Sequence, residues 1–489
     1  MRNPTSGQQY LLIIPLLAIG CASRMDDISP TAVVPTPQQI AYQEMELIGF
    51  IHFSVNTFTD QEWGNGAESP DTFNPTALDA RQWAEVARDV GMKQLIVTAK
   101  HHDGFCLWPS AHTEHSVKYS SWKNGQGDVV GELATACREY GLKLGLYLSP
   151  WDRNHAEYGR AGYLTYYRNQ LEELLTQYGE IAEIWFDGAN GGSGYYGGAN
   201  ETRLIDRETY YEWPETWAMV KRLQPDILIF SDAGPDIRWI GNERGRAGET
   251  NWSTINRSGI VVGAADPAYL NSGNPDGSDW VVGECDVSIR PGWFYHARQD
   301  SRVKTPQALL DIYYQSVGRN GTLLLNIPPT EEGLLHETDI QSLREFRSIL
   351  DETFRTNLAS GKRATASNSR ANHRKFSPRN LLDDDTDTYW ATDDGTKTAT
   401  VEIDLGDTTE FDRIMLQEPI RFGQRIARFT VEAQQAGQWV EIAKGTTIGY
   451  KRLLRIQPVK TDMVRIIILD ALDLPALASF GLYKASSRE

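Results

Sequence analysis

What the 489 residues lack narrows the field. Only four cysteines occur, Cys21, Cys106, Cys137 and Cys285. That is too few for a disulfide scaffold, and their spacing suits no zinc site. Positive charge is also short: 48 Lys and Arg against 65 Asp and Glu leave a formal net charge of −17. A nucleic acid or an anionic membrane surface needs a basic face, so neither is the expected partner. Internal repeats and low-complexity linkers are absent too, which predicts a short, packed junction between any domains. The length exceeds one ordinary domain and fits a barrel of about 250 to 400 residues plus a smaller module. Aromatics are plentiful, with 14 Trp and 21 Tyr. They suit stacking against sugar rings as well as filling a core.

At the N-terminus Arg2 precedes the apolar run 10–19, followed by Gly20 and Cys21. The run is too short to span a bilayer and reads as the core of a signal peptide. Ala18-Ile19-Gly20-Cys21 resembles a bacterial lipoprotein cleavage box, although Leu17 sits one place earlier than the box prefers. Asp26-Asp27 resembles the surface-export signal of some Gram-negative lipoproteins. The expectation is a signal over 1–21 and an exported protein, periplasmic or at the outer membrane or cell surface. Its only membrane contact would be a lipid on Cys21. The alternative is an ordinary secretory signal with an incidental cysteine.

From about residue 45 to 355, apolar strand-like runs (47–55, 93–100, 143–149, 181–187, 226–232 and 322–327) alternate with amphipathic helical patterns. Those patterns cover 79–90, 129–140, 164–178, 211–223, 306–317 and 337–354. Such alternation predicts an α/β fold with a parallel sheet. Polar, aromatic and carboxylate residues recur just past the strand ends, which favours a closed TIM-like (β/α) barrel over 30–355. The stretch 240–300 is less regular and is expected to form long loops over the site. Near residue 357 helical periodicity gives way to short alternating runs: 399–404, 413–416, 429–433, 439–443 and 464–469. These predict an all-β sandwich of jelly-roll type over 356–489.

Four clusters in the first domain carry chemistry. Lys100-His101-His102-Asp103-Gly104-Phe105 follows a strand and offers sugar hydrogen bonds, with a structural His pair as the alternative. Metal binding would need further ligands at suitable spacing. In Trp185-Phe186-Asp187-Gly188-Ala189 a carboxylate ends an apolar strand at the barrel mouth. That position meets the needs of a nucleophile, although Asp-Gly after a strand is also an ordinary turn. The runs 234–243 and 288–296 are loop-like and mix planar donors with aromatics.

Together with His52-Phe53-Ser54, Glu62-Trp63-Gly64, Cys106-Leu107-Trp108-Pro109-Ser110, Thr113-Glu114-His115-Ser116-Val117 and Leu325-Asn326-Ile327-Pro328-Pro329, these clusters resemble the α-L-fucosidases of glycoside hydrolase family 29. The likeness covers roughly residues 47–352. It implies a retaining exo-α-L-fucosidase without catalytic metal or organic cofactor, acting on fucosylated oligosaccharides or glycoconjugates. By the resemblance Asp187 is the nucleophile and Glu243 the acid/base. Runs 234–243 and 288–296 look like the subgroup that cleaves α-1,3 and α-1,4 linkages on branched, Lewis-type glycans. The resemblance also places His52, Glu62, Trp63, His101, His102 and Tyr147 around the fucose ring, with Trp293 a candidate apolar wall for its methyl group. Tyr147 could instead be barrel core, and Trp293 a loop anchor. Asp103, Glu249, Glu284 and Asp286 are rival carboxylates, Glu284 the first to test. Retaining hydrolysis needs one ionised and one protonated carboxyl about 5 Å apart. Donors are therefore expected around Asp187, and an apolar or anion-adjacent setting around Glu243. Arg238, Arg244 and Arg246 should point away from it. A fucosidase of broad linkage tolerance, α-1,2 included, and an inactive carbohydrate-binding lipoprotein are the competing readings.

Residues 357–482 resemble the discoidin-like, or F5/8 type C, galactose-binding sandwich through the run 381–392, Ile403-Asp404-Leu405-Gly406 and Val464-Arg465-Ile466. The Asp-rich turn 383–387 has the oxygens a structural Ca2+ takes. A solvated acidic turn is the alternative. The module binds sugar or serves structurally; its sequence leaves both open.

Overall fold

A computed structural model describes Met1 and residues 25–489; the expected signal and Cys21 lie outside the described residues. Eight parallel strands close into a barrel: β1 (Leu47–Ile51), β2 (Gln94–Lys100), β3 (Lys143–Leu148), β4 (Glu183–Trp185), β5 (Leu228–Ser231), β6 (Ile237–Trp239), β7 (Val282–Ser288) and β8 (Thr322–Asn326). Each pairs with its neighbours in sequence, and β8 closes against β1 through Leu47↔Leu323 to Phe50↔Asn326. All residues of β1, β2 and β8 are buried, as expected for strands covered on both faces. The main helices are α1 (Pro37–Gln43), α2 (Ala80–Asp89), α3 (Val129–Tyr140), α4 (Ala161–Gln177), α5 (Trp213–Leu223), α6 (Pro306–Gln315) and α7 (Glu337–Thr353). Local chemistry sets their ends. The Asp79 and Asp128 side chains cap the N-termini of α2 and α3, and Gly141 ends α3 in the left-handed conformation.

Two barrel strands depart from the sequence reading, which placed β6 and β7 in loop-like runs. A five-residue return, 232–236, rather than a helix joins β5 to β6, so the strand–helix alternation breaks there. In β7 the residues facing the interior after Val282 are Glu284, Asp286 and Ser288. A strand whose inward side chains are acidic or hydroxylic shows no apolar period, although every residue of it is buried.

The C-terminal domain is antiparallel and all-β: β9 (Arg363–Ala366), β10 (Ala399–Gln417), β11 (Ile426–Gln435), β12 (Gln438–Gly445), β13 (Arg452–Ala471) and β14 (Ser479–Tyr483). The runs 399–404 and 413–416, read as separate strands, belong to β10. Register shifts after Asp404 and Phe411 bend it. Its first part pairs with β9, and its last part pairs with β14. Val401, Val431 and Ile466 share one core with Ile414, Leu416, Phe480 and Leu482, so the bent strands serve two layers of a sandwich.

The two domains are joined by packing as well as chain. Leu453 is buried in the barrel's main apolar cluster. Tyr450 N donates to Asn320 Oδ1 at 2.8 Å, and Lys451 pairs with Glu46. Glu46 and Asn320 lie just before β1 and β8, so the sandwich sits at the barrel's N-terminal end and leaves the mouth free. Residues 25–34 run along the sandwich. Ile28 enters a cluster with Phe376 and Tyr389, and Thr31 N donates to Phe422 O at 3.0 Å.

Candidate active site

A cavity of about 400 Å3 opens at the C-terminal ends of the strands, where barrel enzymes place their chemistry. Asp187 lies in its wall, two residues beyond Trp185 on the same face of β4. Tyr147 OH, from β3, donates to Asp187 Oδ2 at 2.9 Å, and the Ala189 backbone N–H donates to Oδ1 at 2.6 Å. The carboxylate is therefore held on both oxygens, while a quarter of its side chain stays open to a ligand (25% exposed). Gly188 follows for a steric reason: a Cβ there would lie 2.6 Å from Asp232 Oδ1.

Glu243 stands at the rim, also in the wall. Trp293 Nε1 donates to its Oε2 at 3.3 Å. Burial raises its pKa above the ordinary value; the Trp293 bond opposes this, and the charges of Asp187 and Glu62 add to it. Among the described residues no guanidinium acts on it. Arg238 is fully buried and donates to Leu270 O, Asn251 Oδ1 and Trp252 O at 2.8–2.9 Å, and Arg244 and Arg246 are exposed.

His52, His101 and His102 all line the cavity, and burial lowers the pKa of each, His52 to about 3. They are neutral rings whose tautomers follow from their partners. Asn326 spends its amide N–H bonds on Ser288 Oγ and Trp293 O, so its Oδ1 accepts from His52 Nδ1 at 2.9 Å. Ser149 Oγ donates to Trp151 O, so it accepts from His102 Nδ1 at 2.7 Å. Asn56 Oδ1 accepts from Gly64 N, which turns its Nδ2 toward His101 Nδ1 at 3.4 Å. His52 and His102 thus keep Nε2 as an acceptor, while His101 keeps an Nε2–H donor. This mixed set matches sugar hydroxyls, which both give and take hydrogen bonds.

Trp63, 51% exposed, stands edge-on to His102 and Trp151 at the mouth. Trp293 lines the wall 5.0 Å from His52, ring to ring. Glu62 is the one member of the expected shell outside the lining. It accepts from Trp293 N at 2.8 Å and bonds His296 Nε2 at 2.6 Å, holding the Trp293 loop. Tyr147 is both core and site: fully buried, yet bonded to Asp187.

Among the rival carboxylates only Asp286 reaches the cavity, accepting from Trp239 Nε1 at 3.0 Å. Asp103 is buried behind it, bonded by Ser54, Asn56 and Phe105 N, and burial pushes it up to about 7. Glu249 pairs with Arg319 and Arg452 at the domain junction. Glu284 lies in the barrel interior beneath Trp185. The sequence reading missed Asp232, which lines the cavity and accepts from Gly263 N at 2.7 Å; burial raises it to about 6, with Asp187 adding. It named Trp185 and Trp239 only within motifs, without a site role, and missed Phe50 and Phe230, apolar strand residues indistinguishable from core. Spacing held one signal, since Trp185 stands at i−2 from Asp187 and so shares its strand face. Among the described residues no three His, Cys, Asp or Glu side chains converge as a metal site.

A closed parallel barrel with facing carboxylates and a cavity matched to hydroxyls at its C-terminal mouth is the arrangement of a glycoside hydrolase. The family model described as alpha-L-fucosidase matches residues 37–352, and that of the F5/8 type C domain matches residues 363–478. The chain belongs to the alpha-L-fucosidases of glycoside hydrolase family 29. It is 44% identical to alpha-L-fucosidase 1 of Arabidopsis thaliana over 481 residues, covering 97% of this chain and 92% of that one. Among solved structures, a family 29 member from an unknown rumen bacterium is 46% identical with TM-score 0.84, covering 94% of this chain and 78% of that one. A Ruminococcus gnavus family 29 fucosidase in complex with fucose is 36% identical with TM-score 0.85, covering 95% and 97%.

Proposed function

We propose that this fucosidase is a retaining exo-enzyme that releases α-1,3- and α-1,4-linked fucose from branched, Lewis-type glycans, with Asp187 as nucleophile and Glu243 as acid/base. The observation that carries the pairing is electrostatic. Both carboxyls line one cavity, hydrogen-bond donors hold Asp187 on both oxygens, and Glu243, exposed at the rim, is raised by partial desolvation and by the negative charges of Asp187 and Glu62. The two donors on Asp187 suit an attacking carboxylate, and the upward shift of Glu243 suits a proton donor.

In the first step an Asp187 oxygen attacks the anomeric carbon and forms an ester as the glycosidic C–O bond breaks. Glu243 gives its proton to the departing oxygen. In the second step the Glu243 carboxylate takes a proton from water, whose oxygen attacks the anomeric carbon and frees Asp187. Tyr147 and Ala189 N orient the attacking carboxylate. The neutral histidines match the ring hydroxyls, and Trp293 offers the methyl group an apolar face. Asp187→Ala should abolish fucose release, and azide should restore turnover as a fucosyl azide. Cleavage of a Lewis-type trisaccharide well ahead of 2'-fucosyllactose tests the linkage; equal cleavage of both would overturn it.

We also propose a structural Ca2+ at the C-terminal turn 383–387, held by backbone carbonyl as well as carboxylate oxygens. Thr388 Oγ1 lies 2.7 Å from Asp383 Oδ2, 3.2 Å from Asp385 O and 3.4 Å from Asn380 O. Asp385 N donates to Asp383 Oδ1 at 3.1 Å and Asp387 N to Asp385 Oδ1 at 2.9 Å, so a Ca2+ would draw on the carboxylate and carbonyl oxygens these bonds leave open. At the N-terminus we read 1–21 as an export signal and Cys21 as the lipid-bearing first residue of the mature protein. Cys21→Ser should move the enzyme from the membrane to the soluble fraction, and an unchanged distribution would discard the anchor.

A further inference from the structure

Glu284, on β7, has no access to the cavity, yet it is tied to the cavity floor. Its Oε1 accepts from Trp185 Nε1 at 2.7 Å across the barrel interior, and its Oε2 accepts from Tyr42 OH of α1, the helix ahead of β1. The Trp185 indole lies parallel to Phe230, with ring centroids 3.9 Å apart, and stacks on Tyr147 at 5.3 Å. Tyr147 in turn donates to Asp187. A continuous line of contacts thus runs from the helix ahead of the barrel to the attacking carboxylate.

We propose that Glu284 is a positioning residue for the fucosidase reaction, fixing through the Trp185 indole the plane of Tyr147 and hence the hydroxyl that orients Asp187. This rests on the reading of Asp187 as nucleophile. The Trp185 indole is held by the rings it stacks on, and its buried N–H also requires a partner. Without an acceptor the buried Trp185 N–H would be unpaired, a state a small ring rotation toward another acceptor relieves. Such a rotation moves the surface on which Tyr147 rests. Displacements of this size at an attacking group reduce the chemical step more than substrate binding. The neighbouring Glu183 explains how a carboxyl is tolerated there. Burial raises both groups, and the charge of Glu284 adds to the rise at Glu183, while Gln94 Nε2 donates to Glu183 Oε2 at 2.7 Å. Two anions in so dry a place would repel, so a proton stays with the pair.

The test compares Glu284→Gln, which keeps a carbonyl acceptor for the indole, with Glu284→Leu, which removes it. Steady-state kinetics on an aryl α-L-fucoside are expected to show kcat falling about tenfold or more in Glu284→Leu with KM nearly unchanged. Glu284→Gln should recover most of kcat. Combined with Tyr147→Phe, Glu284→Leu should cost little more than Tyr147→Phe alone, because both act through one hydroxyl. Additive losses, or a Gln variant as impaired as the Leu variant, would overturn the proposal. If Glu284→Leu does not fold, Trp185→Phe cuts the same link from the other side, and its cycle with Tyr147→Phe must show the same non-additivity. Azide rescue of a dead Glu284→Gln would make Glu284 a reacting group and overturn the positioning role. Azide rescue of Asp187→Ala is read separately, so a failure of the nucleophile assignment remains distinguishable.

Discussion

At the scale of single residues, the site separates two like groups by environment. Asp187 has two donors, whereas Glu243 has one indole N–H and the negative charges of Asp187 and Glu62 nearby. A neighbouring anion makes a proton harder to lose, so the basic limb of kcat/KM should report the raised Glu243. Glu62→Gln removes one of the raising charges, and the limb is therefore expected to move to lower pH. The pH–rate profile of that variant checks the sign; a limb that stays in place or moves upward would contradict the acid role of Glu243. Motif residues were legible at this scale because polar side chains at strand ends are conspicuous. Phe230 and Asp232 were not, because nothing local separates an apolar cavity wall from core, or a lining Asp from a turn.

Elements decide how those residues meet. The loop carrying Glu62 and Trp63 is held against the loop after β3: Arg153 Nη1 donates to Gly64 O at 2.6 Å, and Asn154 Nδ2 donates to Gly66 O at 2.7 Å. Gly66 has φ of +89°, and a Cβ there would lie 2.4 Å from the Arg153 carbonyl carbon. Gly66→Ala must push the two loops apart, since the obstacle is backbone. The expected result is a loss of about tenfold or more in kcat/KM, because reacting groups tolerate little displacement, together with a lower Tm. Wild-type kinetics in that variant would show the apposition to be dispensable. Strands β1 to β5 and β8 were legible because buried parallel strands are apolar throughout. β6 and β7 were not, because one lacks a preceding helix and the other turns acidic residues inward.

The whole molecule is two domains with a shared boundary. Leu453 enters the barrel core, Arg452 reaches Glu249, and Gln424 Oε1 accepts from Ser253 N at 2.9 Å. A boundary of this kind passes stabilisation from one domain to the other. A cation bound only by the folded sandwich adds RT ln(1 + [Ca2+]/Kd) to its stability. Calorimetry should accordingly show one endotherm that a chelator lowers and added Ca2+ restores. Two separating endotherms would show that the domains unfold independently, and an unmoved one would remove the Ca2+ site.

The sequence by itself determined most of the elements, the change from barrel to sandwich texture, and the motif residues at strand ends, since each depends on local periodicity or on side chains near in the chain. The tertiary structure alone decided which carboxylates share a cavity. Glu284 and Asp286 are two residues apart on one strand and point the same way. Barrel depth puts one beneath Trp185 and the other in the wall beside Trp239. Closure of the barrel sets that depth, joining residues more than a hundred positions apart, and no local pattern encodes it.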